Sequence, residues 1–393
     1  MFKRVYKTIW TEKIPVTCSL LGRIRLFSSQ KDFRPDQMQR WSLYRYGADA
    51  LELNTVDTPS IKSPSDILVK VHAASVNPID LRIRNGYGVK LLNLWRKVKG
   101  TQEFPLILGR DFSGVVVKTG RRVRRFKPGD EVWGSPSVPN GGTHTQYLIA
   151  QQDEISMKPS CLSHVEAASL PYVACTVWVG LKSRAGLNET NCPGKRVLVY
   201  GGSGGIGTFA IQLLKAWGAD VTTTCRTDAV ELVTSLGADH VIDYNMTDVE
   251  VELEDSEGFD VILDPFGAKF EKMSTKLLSK CTGSVYINLA PPLLPDTDRL
   301  GLGLGIVSSG QSFLSSFAQK AFFKGGSTAW AFFVPNPGAL DHVARLTESG
   351  QIRPVIQSVF PFSEVPEAFA QLEAGHTRGK TVIQVSENGE TCL

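Results

Sequence analysis

Residues 197–221 read VLVYGGSGGIGTFAIQLLKAWGADV, a short apolar run that breaks into glycine and resumes with helical spacing. The apolar strand ends at Tyr200, and Gly202, Gly204 and Gly207 stand in G-x-G-x-x-G register as the helix begins. Without side chains there, the backbone can turn sharply and approach a pyrophosphate, while free N–H groups and the helix dipole attract the anion. The pattern alone is weak; here it follows a strand of buried type, opens an amphipathic helix and precedes another strand, which points to a dinucleotide site. The next strand, DVTTTC, is followed by Arg226, where an NAD enzyme would carry an acid for the ribose hydroxyls. Its guanidinium could hold a 2′-phosphate in a charge-assisted pair contributing roughly 1.5–3 kcal/mol, which favours NADPH. A solvated loop charge is the plainer alternative for Arg226, and Asp228 fits a helix-capping role.

Working outward, strand and helix alternate from about 171: KRVLVYG, TFAIQLLKAWG, DVTTTC, AVELVTSLGA, then HVIDY, FDVILDPFG and SVYINLA. This βαβ rhythm predicts a doubly wound parallel sheet, a Rossmann domain over 171–335. Residues 40–170 have another texture, with WSLYRYG, ILVKVHAASVNPID, GVVVKTG and KPGDEVWG as short strands around tight turns. A helix near 338–350 and the strand KTVIQV return to that first texture over 336–385, and the strand is expected to pair back into the first domain. The fold class is therefore α/β in two parts, as 393 residues would suggest.

The formal charge of +4 is spread along the chain, which argues against a nucleic-acid partner. No apolar run reaches the roughly 18 residues of a membrane-spanning helix. Seven cysteines occur without a CxxC pair or a Cys/His cluster, as plain thiols in a reducing compartment would. The first segment differs: Lys3, Arg4, Lys7, Lys13, Arg23 and Arg25 face a single acid, Glu12, with apolar residues between them. That is the character of a mitochondrial transit peptide over 1–27, ending near Phe27, with a plain basic tail as the alternative.

The segments SVNPIDLRIRNGYG (75–88), FPLILGRDFSGVV (104–116), FKPGDEVWG, AASLPYVACTVW, the glycine turn, LGADHVIDY and GHTRGKTVIQV occur in that order. Together they resemble the medium-chain dehydrogenases/reductases, in their zinc-free quinone oxidoreductase branch. The resemblance implies a GroES-like β-rich catalytic domain around an inserted Rossmann domain. It also implies no metal: zinc-dependent members carry a cysteine in place of the SVNPID segment and Gly-His-Glu in place of Gly109, Arg110 and Asp111.

Further expectations come by position. Asn77 and Asp80 would line the nicotinamide pocket, and Tyr87 would donate to, or stack on, the acceptor. Asn77 read bottom-up is equally a turn residue before Pro78, and Tyr87 a packing residue. Ser203, Gly205 and Ile206 would complete the phosphate turn. Tyr244 would pack by the adenosine phosphate, Leu289 would lead to the nicotinamide, and Arg378, Gly379 and Lys380 would close over the cofactor. The insertion at 89–102 reads as a solvated loop or, through Arg96, Lys97 and Lys99, a membrane contact.

Without zinc, an electron-poor quinone or enone accepts hydride with only hydrogen-bond donors to help. The implied role is NADPH-dependent quinone reduction in the mitochondrion, in the matrix or at the outer membrane, in support of ubiquinone biosynthesis. Implied partners are reticulon or ubiquinone-synthesis proteins and a second copy in a homodimer; the alternative is an NADPH-binding scaffold with little turnover.

Overall fold

The computed structural model describes residues 36–138, 141–254, 256–267, 269–278, 283–311 and 326–386. The expected transit peptide and Cys18, Cys281 and Cys392 lie outside them. The chain starts with β1 (Gln37–Leu43) and β2 (Leu51–Asp57), an antiparallel pair. Then come β3 (Ile67–Val76), β4 (Asp111–Thr119), β5 (Glu131–Gly134), β6 (Tyr147–Ala150) and β7 (Ile155–Met157). Between β3 and β4 lie α1 (Pro78–Arg84) and α2 (Val89–Val98), and after β7 lie α3 (His164–Ala167) and α4 (Pro171–Trp178). Pro171 opens α4 at a position that needs no N–H, as Pro78 does in α1.

The second half runs β8 (Arg196–Val199), α5 (Gly205–Ala216), β9 (Asp220–Cys225), β10 (His240–Asp243), β11 (Val261–Asp264), β12 (Val285–Asn288) and β13 (Ser327–Trp330). These strands form one wholly parallel sheet in the order β10-β9-β8-β11-β12-β13. The order reverses direction at β8, so the crevice beyond the carboxyl ends of β8 and β11 is where a doubly wound sheet receives its ligand. Helix α5 buries every residue from Gly207 to Leu214, and its Phe209, Ile211 and Leu213 share a core with Val197, Val199 and Leu263. Near-continuous apolar strands are what a sheet covered on both faces requires.

The chain then returns. β14 (Ile356–Pro361) and β15 (Lys380–Gln384) complete a sheet of order β14-β15-β3-β4-β5-β7, with β6 also on β3. Antiparallel pairing of Thr381 with Val76 and of Gln384 with Ala73 locks the returning strand beside β3. The KTVIQV tract thus ends where its alternation suggested. Ile67, Val69, Phe112, Phe369 and Ile383 bury the inner face of this sheet.

The 89–102 insertion is not a solvated loop. It is α2, whose backbone N–H groups at Gly88 and Lys90 are capped by the Asp298 carboxylate. Arg96 is buried, donating to Asn93 Oδ1 at 2.6 Å, and only Lys97 and Lys99 of the basic trio face solvent. The arginine's charge hid this from a reading by composition, because its stem packs while its head finds a local acceptor.

Candidate active site

The glycine turn is built as its spacing requires. A Cβ on Gly207 would lie 2.3 Å from Gly201 O and one on Gly202 would lie 2.2 Å from Thr223 Oγ1, so neither position admits a side chain. Gly201 takes φ +68°, which glycine adopts without strain. Gly204 stands at the N-cap of α5 with no side-chain cap, leaving the first-turn N–H groups free for an anion.

The returning segment lies across this turn. Gly379 N donates to Ser203 O at 2.8 Å, and Gly379 itself, at φ +75°, presses on Val355 O, where any Cβ would come to 2.1 Å. Lys380 then passes the start of α5, its Cδ 2.9 Å from where a Cβ on Gly205 would be, and buries its ammonium. Lys380 Nζ donates to Asn77 Oδ1 and, at 3.0 Å, to Asp111 Oδ2. Asp111, with no exposed surface, also accepts from Asn77 Nδ2 at 2.8 Å, from the Ser75 hydroxyl and from the backbone N–H of Tyr172. A buried carboxylate with an ammonium and three further donors is well compensated.

A cavity of about 680 Å³ runs between these features. One end is walled by Tyr244, Thr224, Cys225, Arg226 and Arg378, the middle by Ser203, Gly204, Gly205, Ile206 and Gly207, and the other end by Val76, Asn77, Pro78, Tyr172 and Lys380. At the outer end Arg378 pairs with Asp228, and Arg226 Nε lies 3.8 Å from the same carboxylate. Arg378 holds the Asp228 carboxyl below the usual range.

Of the residues expected at the site, the cavity wall gathers Asn77, Ser203, Gly204, Gly205, Ile206, Gly207, Arg226, Tyr244, Arg378, Gly379 and Lys380, with Gly202 just behind the turn. Three expectations need correction. Asp80 is buried away from the cavity: it accepts from Asn77 N and Gly109 N, both at 2.9 Å, and so fastens the start of α1 to the loop just before β4. Tyr87 is not on the wall; its ring packs by Arg82, whose guanidinium is 5.7 Å from the centroid. Leu289 packs against the core near Gly180 rather than on the wall. Asn77 does reach the wall, but its amide is spent on Asp111 and Lys380, which leaves it no donor aimed outward.

Sequence reading passed over Tyr172. It lines the inner end, stacks on Phe333 with centroids 4.7 Å apart, and burial pushes its hydroxyl well above the usual phenol range. Its only signal was position, one residue after the Pro that starts α4. Phe266 was also missed; more than half exposed, it stands over Gly201 at the turn.

The Alcohol dehydrogenase GroES-like domain family matches residues 63–160, and the Zinc-binding dehydrogenase family matches residues 236–383. "NAD(P)H oxidoreductase RTN4IP1, mitochondrial" of Bos taurus is 48% identical over 359 residues, 90% of each chain. The chain belongs to the medium-chain dehydrogenase/reductase superfamily. Another member, "Reticulon-4-interacting protein 1, mitochondrial" of Caenorhabditis elegans, is 36% identical over 92% of this chain and 98% of its own. The solved structure of the quinone oxidoreductase from Coxiella burnetii superposes with a TM-score of 0.72 at 29% identity, covering 89% of this chain and all of that one. This medium-chain reductase is thus an oxidoreductase of nicotinamide-dependent type, and its β-rich sheet is the GroES-like part. Among the described residues no group of three or more His, Cys, Asp or Glu side chains gathers as metal ligands would, and no helix is long and apolar enough to cross a membrane.

Proposed function

We propose that the protein is a mitochondrial NADPH-dependent reductase that transfers hydride to a quinone or a conjugated carbonyl without a metal, in support of ubiquinone biosynthesis. The observation that carries this reading is the cavity itself, with two arginines at its outer rim, an anion-binding glycine turn midway and a buried polar cluster at its inner end. The walls support NADPH: Cβ-free glycines leave room for the pyrophosphate, Arg226 and Arg378 at the outer end would hold a 2′-phosphate, and Tyr244 would offer a flat face to the adenosine. When bound, the nicotinamide supplies hydride from its C4.

The chain's own residues bind, orient and shield. Ser203 and Gly204 hold Gly379 so that the returning segment roofs the turn. Lys380, fixed by Asn77 and Asp111, sets the inner wall against which the acceptor end would lie. Gly109, Arg110 and Asp111 stand where zinc-dependent relatives place Gly-His-Glu, which supports chemistry on acceptors that need no Lewis acid. The basic, acid-poor first 27 residues and the mitochondrial names of the relatives support import, most simply to the matrix. The reticulon in the Caenorhabditis relative's name supports a partner-binding role beside turnover.

Steady-state NADPH oxidation by the purified protein tests the reading. We expect turnover with 9,10-phenanthrenequinone or an enone, unaffected by chelators, and none with simple alcohols and NADP⁺. Activity lost on chelation and restored by zinc would overturn the metal-free part; NADPH binding without turnover of any acceptor would leave the scaffold role standing instead.

A further inference from the structure

Arg110 is 1% exposed, yet neither its Nε nor its Nη1 has a hydrogen-bond partner, and the nearest carboxylate oxygen, Asp80 Oδ1, is 3.9 Å from Nε. Asp80 already spends both oxygens on backbone N–H groups. Beside it, Thr143 Oγ1 and His144 Nδ1 are also buried without partners; both residues abut Gly109, where a Cβ would lie 2.3 Å from Thr143 Oγ1. A buried guanidinium so poorly matched is costly to the fold and calls for a use. Next to this cluster stands Tyr172, the phenol on the inner cavity wall, fixed by its stack on Phe333 and by its backbone bond to Asp111. Its backbone N–H donates to Asp111, the residue after Arg110, and the Thr176 hydroxyl one helical turn on donates to its carbonyl. Lys380 faces the same carboxylate from β15.

We propose that Tyr172 is the catalytic residue that hydrogen-bonds, and gives its proton to, the acceptor oxygen that gains charge, and that Arg110 is a positioning residue whose fixed positive charge favours the anionic oxygen there. This rests on the hydride-transfer reading above. The acceptor carbon takes hydride, that is two electrons and one proton, from the reduced nicotinamide. The acceptor's conjugated electron pair shifts to its oxygen, the Tyr172 O–H bond breaks as the proton moves there, and water entering the cavity restores the phenol. Nicotinamide is oxidised, the quinone or enone is reduced, and one proton is drawn from solvent. Burial, and then the Asp80 carboxylate with Asp111 behind it, raise the phenol's proton affinity, and the Arg110 guanidinium opposes that rise. Arg110 stands where zinc-dependent relatives carry the His of Gly-His-Glu, so here a hydroxyl with a guanidinium in place of that ligand supplies the polarising role.

The test uses 4-nitrophenol, an oxyanion mimic whose phenolate is coloured, titrated into the full-length protein with NADP⁺ at a pH one unit below the ligand's own pKa. The wild type should bind it largely as phenolate. Tyr172→Phe, which keeps the stack and so the fold, should raise the dissociation constant tenfold or more and lower quinone turnover about 10²-fold with NADPH affinity unchanged. Arg110→Gln should shift the bound ligand toward the neutral phenol, and Arg110→Lys should restore most of the phenolate band, which a packing role alone would not do. If Arg110→Gln fails to fold, Tyr172→Phe decides. No binding by the wild type, or equal affinity and equal phenolate fraction in wild type and variants, overturns the proposal. Absence of turnover in the wild type bears on the hydride-transfer reading instead, and the binding result still decides this one.

Discussion

At the residue scale the proposed preference for NADPH rests on three side chains at the outer end of the cavity. Arg226 Nε is 3.8 Å from Asp228, and Arg378 is paired with that same carboxylate. A bound 2′-phosphate would compete with Asp228 for both guanidinium groups, and with more charge and more acceptor oxygens it should win. Arg226→Ala should raise the dissociation constant for NADPH tenfold or more and leave NADH nearly unchanged, as read by cofactor fluorescence. Equal weakening of both would remove Arg226 from the phosphate site. The sequence made Arg226 legible, because the end of a second βαβ strand is a fixed address. The Arg378–Asp228 pair was not legible, since 150 positions separate the two and only the fold brings them together. Asn77 shows the opposite failure: its place at the inner wall was foreseen, but which way its amide points depends on Lys380 and Asp111.

At the level of elements, α3 shows how a short helix can make the fold sensitive to acid. Ser163 and Glu166 form a capping box, and the helix lays His164 on His72 of β3 with ring centroids 4.5 Å apart. His164 Nδ1 bonds the Ser113 hydroxyl of β4 at 2.8 Å, and Glu131 of β5 lies 3.5 Å from Nε2, with Lys158 on the same carboxylate. Burial, then the proximity of His72, pushes the His164 imidazole down to about 4. The folded state therefore binds this proton less readily than the unfolded chain does. Stability is full above about pH 6.5 and falls as the pH drops toward 4, by about 2 kcal/mol at pH 5. Denaturant titration at pH 7 and pH 5 should show that loss, and His164→Gln should flatten it; an unchanged slope in the variant would place the acid sensitivity elsewhere. The strands around this pair were readable from alternation. The helix α2 was not, because its buried Arg96 and its cap on the distant Asp298 look like solvated polarity in a linear text.

At the scale of the whole molecule, the returning strand is tied into the first part of the β-rich sheet by a buried ion pair set against the parallel-sheet domain's glycine turn. Lys380 belongs to β15, Asp111 opens β4, Asn77 precedes α1, and the lysine stem rests on the first turn of α5. The domain rhythm was legible because periodicity is local, whereas this tie required the return of the chain after some 300 residues. Removing the ammonium strands an acid with no exposed surface, a change that typically costs 3–5 kcal/mol, while removing both charges costs much less. Lys380→Met should therefore lower stability by about 3–5 kcal/mol in urea titrations, and Lys380→Met with Asp111→Asn should recover a good part of it. Because the same side chain sets the cavity's inner wall, both variants should also lose much of the thermal protection that NADPH gives the wild type. Additive stability losses in the double variant, with NADPH protection intact, would show that Lys380 and Asp111 act independently and that the returning strand is held in the β-rich sheet by the backbone pairing of β15 with β3 alone.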